Sequence, residues 1–219
     1  MLPTLPGRTR GPWFAAVLAA LLYGLSLRVA PYAGQPAAKA AMGVLLLWAA
    51  WRHAPARERA WLAVALATAV LGDVLLAIPQ WPLSFVGGLG AFLLTHLAYC
   101  GLFAPWRAAP RGWRAAALVA LWLAAPALYA AFFPHLLALA VPVAVYIFVL
   151  CAMATFALCA RTPGAQVALG GLVFVASDAL IGIDRFLGAF GGSDYAIWFC
   201  YALAQLTIVA GVLRRQAPA

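Results

Sequence analysis

The sequence predicts an all-α polytopic membrane protein with eight transmembrane helices, and three observations carry that prediction. Of its 219 residues, 67% are hydrophobic and 9% are charged, with a mean hydropathy of +1.00. A soluble domain is about 45–50% apolar and about 25% charged, so no soluble fold covers this much apolar surface. The apolar residues also run in blocks long enough to cross a bilayer, which takes about 20 residues, range roughly 17–25. Finally, the cations behind the net charge of +9 lie in short loops between those blocks. Cations so confined are a topology signal rather than a nucleic-acid patch, and no nucleic-acid partner is expected.

The first span, about 12–30, follows Arg8 and Arg10. Charge before an apolar run is also the order of a signal peptide, and Ala30 and Ala33 offer a weak cleavage site. The run is long for a signal h-region, so it reads as a retained helix. Pro31 separates it from the second span, 36–52, and Pro55 separates that from the third, 59–78. Pro79 and Pro82 precede the fourth, 84–104. Pro105 and Pro110 lie before the fifth, 113–133, and Pro134 before the sixth, 135–158. Pro163 leads into the seventh, 164–183, and a short loop into the eighth, 195–213. Proline and glycine are the expected punctuation between such helices. No linker, low-complexity tract or second domain interrupts the order, so residues 1–219 read as one transmembrane domain. No feature of the sequence sets an oligomeric state.

Orientation follows from the cations. Arg8, Arg10, Arg52, Arg57, Arg59, Arg107, Arg111, Arg114, Arg161, Arg214 and Arg215 fall at one side, and Arg28, Lys39 and Arg185 at the other. The eleven-to-three split predicts that both termini are cytoplasmic. The abundance of arginine and alanine fits a GC-rich bacterial genome, and hence a bacterial inner (plasma) membrane. Cys100, Cys151, Cys159 and Cys200 stand alone in apolar runs, as small buried hydrophobes do. There is no CxxC and no Cys/His pair at ligand spacing, so neither a metal nor a cofactor is expected.

Only five residues are acidic, and two of them, Asp73 and Asp178, sit inside apolar runs. A carboxylate within a spanning helix costs on the order of 3 kcal/mol. A rise of 1.5 Å per residue puts each roughly 8 Å from the outer end of its helix, the third and the seventh. Tyr201 on the eighth helix lies at similar depth, while His96, Tyr146 and Gln205 lie roughly 15–18 Å down. Polar groups in hydrocarbon need partners, and one shared cavity open toward the outer leaflet supplies them most cheaply. Helical spacing agrees. Phe85, Phe92, His96, Tyr99 and Phe103 share one face, as do Phe174, Asp178, Ile181 and Arg185, and Trp198, Tyr201 and Gln205. Aromatics with one or two polar groups make a wall suited to a lipid chain with a reactive polar head. The alternatives are ordinary core stripes for the aromatics, a hydrogen-bonded buried histidine for His96, and interhelical glue for Tyr146 and Gln205. For the aspartates the alternative is structural ion pairing with Lys39 and Arg185. Asp184 and Asp194 are expected in the outer loop, solvated, and Glu58 in a surface pair between Arg57 and Arg59.

The spacing of several residues is compatible with an internal repeat. Asp73 and Asp178 are 105 residues apart, Phe85 and Phe190 also 105, and Tyr99 and Tyr201 102. Two four-helix halves would keep one orientation and form a parallel repeat, although helices rich in alanine and leucine align with themselves easily.

Several of these residues resemble the YhhN/TMEM86 family of lysoplasmalogenases. They are Gly72-Asp73 followed by Leu75-Leu76; Phe85, Gly88, Phe92, His96 and Tyr99; Tyr146; Ser177-Asp178 with Ile181 and Arg185-Phe186; and Tyr201 with Gln205. The resemblance covers most of residues 35–210. Lys39 matches the Lys-Pro that opens the family's second helix, but Ala40 replaces the proline. The resemblance implies an eight-helix hydrolase that cleaves the vinyl ether bond of a lysoplasmalogen to a fatty aldehyde and a glycerophospho-ethanolamine or -choline. It implies Asp73 and Asp178 as the catalytic pair. From their placement, Lys39, His96, Tyr99, Tyr146, Ser177, Arg185, Tyr201 and Gln205 are expected to bind a lysophospholipid substrate among the membrane lipids, with Lys39 and Arg185, the outer-side cations nearest the acids, on its phosphate.

The chemistry suits the residues independently of the resemblance. Vinyl ether hydrolysis begins with protonation of the outer alkene carbon, which leaves an oxocarbenium ion for water to attack. The slow step needs a positioned general acid, and a carboxyl group in a low-dielectric cavity can hold its proton near neutral pH. A second carboxylate stabilises the cation and orients water, as in glycosidases. Asp178 is the expected acid. Two other classes use the same residues: a proton-coupled transporter of a small amphiphile, because intramembrane carboxylates with a histidine also form proton relays, and a non-catalytic lipid-binding protein with its acids locked to Lys39 and Arg185.

Overall fold

A computed structural model describes residues 5–161 and 165–215; Pro163 and the first residue of the seventh predicted span lie outside them. The described chain is all-helical. Its long helices are α1 (Gly7–Ser26), α2 (Gln35–Trp51), α3 (Ala56–Leu76), α4 (Ser84–Phe103), α5 (Trp113–Phe132), α6 (Ala140–Cys159), α7 (Ala165–Gly182) and α8 (Ser193–Leu213). Seven are long and apolar enough to cross a membrane. The exception, α2, has 17 residues and rises about 26 Å.

Local chemistry sets the helix ends. Pro36 occupies the first turn of α2, where its missing N–H is no loss. Gly112 (φ 57°) and Gly192 (φ 81°) hold the left-handed turns that lead into α5 and α8, a conformation in which glycine has no Cβ penalty. After Gly182, α7 widens into a five-residue π-helical turn, Ile183–Leu187.

In the bundle, α3 packs mainly on α4 and α7 on α8, with α2 against both α1 and α3 and α6 against both α4 and α7. The α7–α8 contact is close because of Gly170: a Cβ there would lie 3.1 Å from the Ile208 backbone nitrogen. One large core runs through α1–α4 and α6–α8 around Phe92, Tyr99, Phe174 and Tyr201. By contrast, α5 buries only Leu121 and Phe132 and forms a peripheral wall.

The end bearing most of the arginines holds a correction. Glu58 does not form a surface pair with Arg57 and Arg59. It is buried (8% exposed), with its carboxylate 2.8 Å from His53 Nε2 and accepting from Arg215 Nε at 2.9 Å. Its sequence neighbours reach elsewhere: Arg57 donates to the Gly101 carbonyl and Arg59 to that of His53. Successive residues on a helix point about 100° apart, so Glu58 faces inward while the arginines face out. The resulting cluster ties the end of α8 to the α2–α3 turn.

Candidate active site

Two small residues allow the acids their positions. Gly72 precedes Asp73, and a Cβ there would come within 2.7 Å of the Phe92 ring; its absence seats Phe92 directly on α3. Ser177 precedes Asp178, is buried, and donates to the Ile197 carbonyl at 3.1 Å. It therefore joins α7 to α8 and does not join the cluster around the acids.

Asp73 is 1% exposed. Its Oδ2 accepts a 2.7 Å hydrogen bond from the Tyr201 hydroxyl. Behind Tyr201 stands Gln205, whose amide donates to the Tyr201 oxygen at 3.4 Å and whose carbonyl accepts from the Tyr99 hydroxyl. Asp73 thus terminates a chain of polar groups from three helices. The Asp178 side chain is 5% exposed. Its Oδ2 accepts from the Tyr146 hydroxyl at 2.7 Å and lies 3.0 Å from Nε2 of the fully buried His96. Nε2 also lies 3.1 Å from the Tyr146 hydroxyl, and in the tautomer with its N–H on Nε2 His96 adds a second donor to that oxygen of Asp178.

Phe174, one turn before Asp178, holds both clusters together. Its ring makes edge-on contacts with His96 at 4.9 Å and Tyr201 at 5.7 Å, centroid to centroid. Phe92 adds edge contacts to Tyr201 and Phe174. Such rings are rigid and well packed, and they fix the donors that hold the acids.

Two cavities adjoin the acids. One, about 480 Å³, is an apolar chamber between α5 and the bundle, within the roughly 300–1,000 Å³ typical of small-molecule sites. Apart from Asp178, Tyr146 and the Cys151 thiol, its walls are hydrocarbon or aromatic, and an alanine stripe on α5 (Ala124, Ala125, Ala127, Ala131) forms one side. The other, about 140 Å³, is polar and is lined by Asp73, Asp178, Tyr201, Lys39, Gln35 and Asp194, among others. Leu76, Phe92, Asp178 and Ile181 line both. Asp73 lines only the polar one.

The structure thus brings Asp73, Asp178, His96, Tyr99, Tyr146, Tyr201 and Gln205 into one connected region, with Lys39 on the wall of the polar pocket. It does not bring Arg185 there. The guanidinium of Arg185 lies over the Phe85 ring at 4.8 Å, and Arg185 lines neither cavity. The π turn is the reason: a wider turn changes side-chain phase, so the two-turn spacing from Asp178 no longer keeps Arg185 on its face. Neither aspartate forms an ion pair with lysine or arginine among the described residues. Sequence reasoning missed the joining role of Phe174, which apolar periodicity hides among core residues. It also missed Asp194, which sits on the first turn of α8 at the polar pocket. The four cysteines are free thiols.

A family model described as the YhhN family matches residues 34–212. A protein named lysoplasmalogenase from Mycobacterium bovis (strain ATCC BAA-935 / AF2122/97) is 44% identical over 226 residues, covering 96% of this chain and 87% of the relative. One of the same name from Mycobacterium tuberculosis (strain CDC 1551 / Oshkosh) gives the same figures. The human protein named lysoplasmalogenase TMEM86B is 31% identical over 156 residues, covering 70% of this chain and 64% of its own. No solved structure gives a significant match.

Proposed function

The chain belongs to the YhhN family, and from that premise we propose that it is a lysoplasmalogenase-like hydrolase, cleaving the vinyl ether bond of an alkenyl lysophospholipid within the membrane. The lysoplasmalogenase relatives, 44% identical over 96% of the chain, support the activity. One observation carries the choice of residues: Asp178 lines both the apolar chamber and the polar pocket, while Asp73 lines the polar pocket alone. A lysoplasmalogen has the same order, with an apolar chain, then the alkene, then the ether oxygen and a polar head. With the chain in the chamber, the outer alkene carbon lies on the Asp178 side and the ether-bearing carbon faces Asp73.

The reaction then balances. The Asp178 carboxyl gives its proton to the outer alkene carbon, and the Asp73 carboxylate stabilises the oxocarbenium ion so formed. Water adds to the ether-bearing carbon and passes a proton to Asp73. The hemiacetal hydroxyl returns a proton to Asp178 as the C–O bond breaks, and Asp73 protonates the departing glycerol oxygen. The products are aldehyde and alcohol, with both carboxyl groups restored. Tyr146 and His96 position Asp178; Tyr201, backed by Gln205 and Tyr99, positions Asp73. Lys39 receives the phosphate.

Aldehyde release from an alkenyl lysolipid by the purified protein tests the function. A chain that binds the lipid but releases no aldehyde is a transporter or a lipid-binding protein instead. In the same reading all eight helices span the membrane, α2 included, with both termini cytoplasmic and the polar pocket open toward the outer leaflet of a bacterial plasma membrane. In a variant lacking the native cysteines, Gly191→Cys should react with an impermeant thiol reagent from outside and Arg111→Cys only from inside. Labelling of both from one side would refute this arrangement.

A further inference from the structure

Asp194 has no part in the chemistry above, yet it lines the polar pocket together with Lys39. The two have opposite charge, and neither forms an ion pair with any described residue. Their positions follow from the helices. Lys39 is on α2, four residues after its start. Asp194 is the second residue of α8, seven before Tyr201, so it stands about 10 Å nearer the helix start than the residue that holds Asp73. Besides the two reacting acids, the pocket therefore presents an ammonium from α2 and a carboxylate from the first turn of α8. Tyr23 and Trp198 also line it, with ring centroids 4.4 Å apart, and aromatic faces attract alkylammonium groups.

We infer that Asp194 is a specificity-determining residue that receives the ammonium group of a zwitterionic head, beyond the phosphate held at Lys39. This rests on the hydrolase reading above for the direction in which the lipid lies. A glycerophosphoethanolamine or glycerophosphocholine head carries one phosphate and one ammonium, the pair of charges that complements Lys39 and Asp194 on the wall of one pocket. A head ending in a bare phosphate would set negative charge against Asp194. The expected selectivity therefore combines attraction for one head with repulsion of the other.

Binding tests this apart from catalysis. Two saturated ether lysolipids of identical chain, which cannot be cleaved, are titrated onto the detergent-solubilised full chain; one ends in phosphoethanolamine and the other in phosphate. In the wild type the zwitterion should bind more tightly. Asp194→Asn should cut that preference about two- to fivefold, the effect of losing one exposed charge pair, and Asp194→Lys should reverse it. Asp184, expected to be solvated, is instead half-buried in the π turn and lines neither cavity, so Asp184→Asn controls for loss of a nearby acid outside the pocket. An unchanged preference in Asp194→Asn and Asp194→Lys, or an equal shift in Asp184→Asn, would overturn the assignment. Aldehyde release by the wild type from the matching alkenyl lipid is scored separately. Its absence defeats the hydrolase reading and this one with it, whereas cleavage with an indifferent Asp194 defeats only this one.

Discussion

Asp73 near the C-terminal end of α3 and Asp178 near the C-terminal end of α7 are each held by a donor from another helix, and their surroundings differ in an instructive way. The offset between them is 105 residues, and the same offset relates their donors: His96, on α4, reaches Asp178 on α7, and Tyr201, on α8, reaches Asp73 on α3. The packing repeats in step, since α3 lies mainly on α4 and α7 on α8. Each pair thus lends a side chain to the acid of the other. The difference is in what surrounds each acid. Asp178 has a second donor in Tyr146 and opens onto an apolar chamber. Asp73 has the single Tyr201 donor and a polar pocket with a cation on its wall. One acid therefore faces an apolar chamber and the other a pocket with charged groups on its wall, the asymmetry that the proposed vinyl ether hydrolysis requires.

Removing either carboxyl is the strongest test. Asp73→Asn and Asp178→Asn should each lower kcat for vinyl ether cleavage by about 10²–10⁴-fold, the usual contribution of a general acid or base. Melting temperature should change little, because asparagine keeps the amide-compatible hydrogen bonds and no lysine or arginine is left unpaired. Full activity in either variant would end the paired-acid reading. A large loss of stability in both would favour a structural role.

The donors come next in expected size. Tyr201→Phe strips Asp73 of its donor, whereas Tyr146→Phe leaves Asp178 with His96. A hydrogen bond to a charged group contributes about 1.5–3 kcal/mol, so Tyr201→Phe should lower kcat roughly ten- to a hundredfold, and Tyr146→Phe clearly less. Equal losses would mean that the two acids are supported alike.

Smaller effects separate the two cavities. Lys39→Met should raise KM about tenfold with kcat nearly kept, as loss of uniform binding does, while Arg185→Met should leave KM within about twofold of the wild type. If KM rises in the arginine variant as in the lysine variant, the phosphate lies nearer the π turn than the polar pocket. Ala125→Phe fills part of the chamber and should lower kcat/KM several-fold for long alkenyl chains and less for short ones, one methylene in a pocket being worth roughly 1–3 kcal/mol. Equal loss across chain lengths would move the chain out of the chamber.

Much of this was legible in the sequence because the bilayer makes polarity expensive. A carboxylate, a histidine or a glutamine inside an apolar run signals itself, and counting residues from a helix end gives its depth. That is why Asp73, Asp178, His96, Tyr146, Tyr201 and Gln205 could be named before any fold was known. Direction around the helix axis was harder to read. Arg185 shares a face with Asp178 only if the helix stays α-helical, and the π turn at Ile183–Leu187 breaks that phase. Glu58 reads as solvated from its arginine neighbours, yet its partners are His53, five residues back, and Arg215, at the other end of the chain. Helical spacing put Phe174 on the Asp178 face, but its joining role gave no signal, because a phenylalanine in an apolar helix is ordinary; its importance lies in which two rings it touches. The chamber was invisible for a similar reason, since alanines on a peripheral helix show no chemistry until a void lies beside them.

The loose attachment of α5 has a consequence for how such a chain can diversify. Helices that carry the acids or their donors also carry the core, so a change of residue there risks both chemistry and folding. With only Leu121 and Phe132 buried, α5 escapes most of that double constraint, and substitutions at exposed or cavity-lining sites away from core features usually cost little stability. The α5 wall of the apolar chamber, where the proposed reading seats the hydrocarbon chain, is thus free to drift while the acids stay where they are. A lineage moved to a membrane of different chain composition can follow it by exchanging a few side chains on one helix.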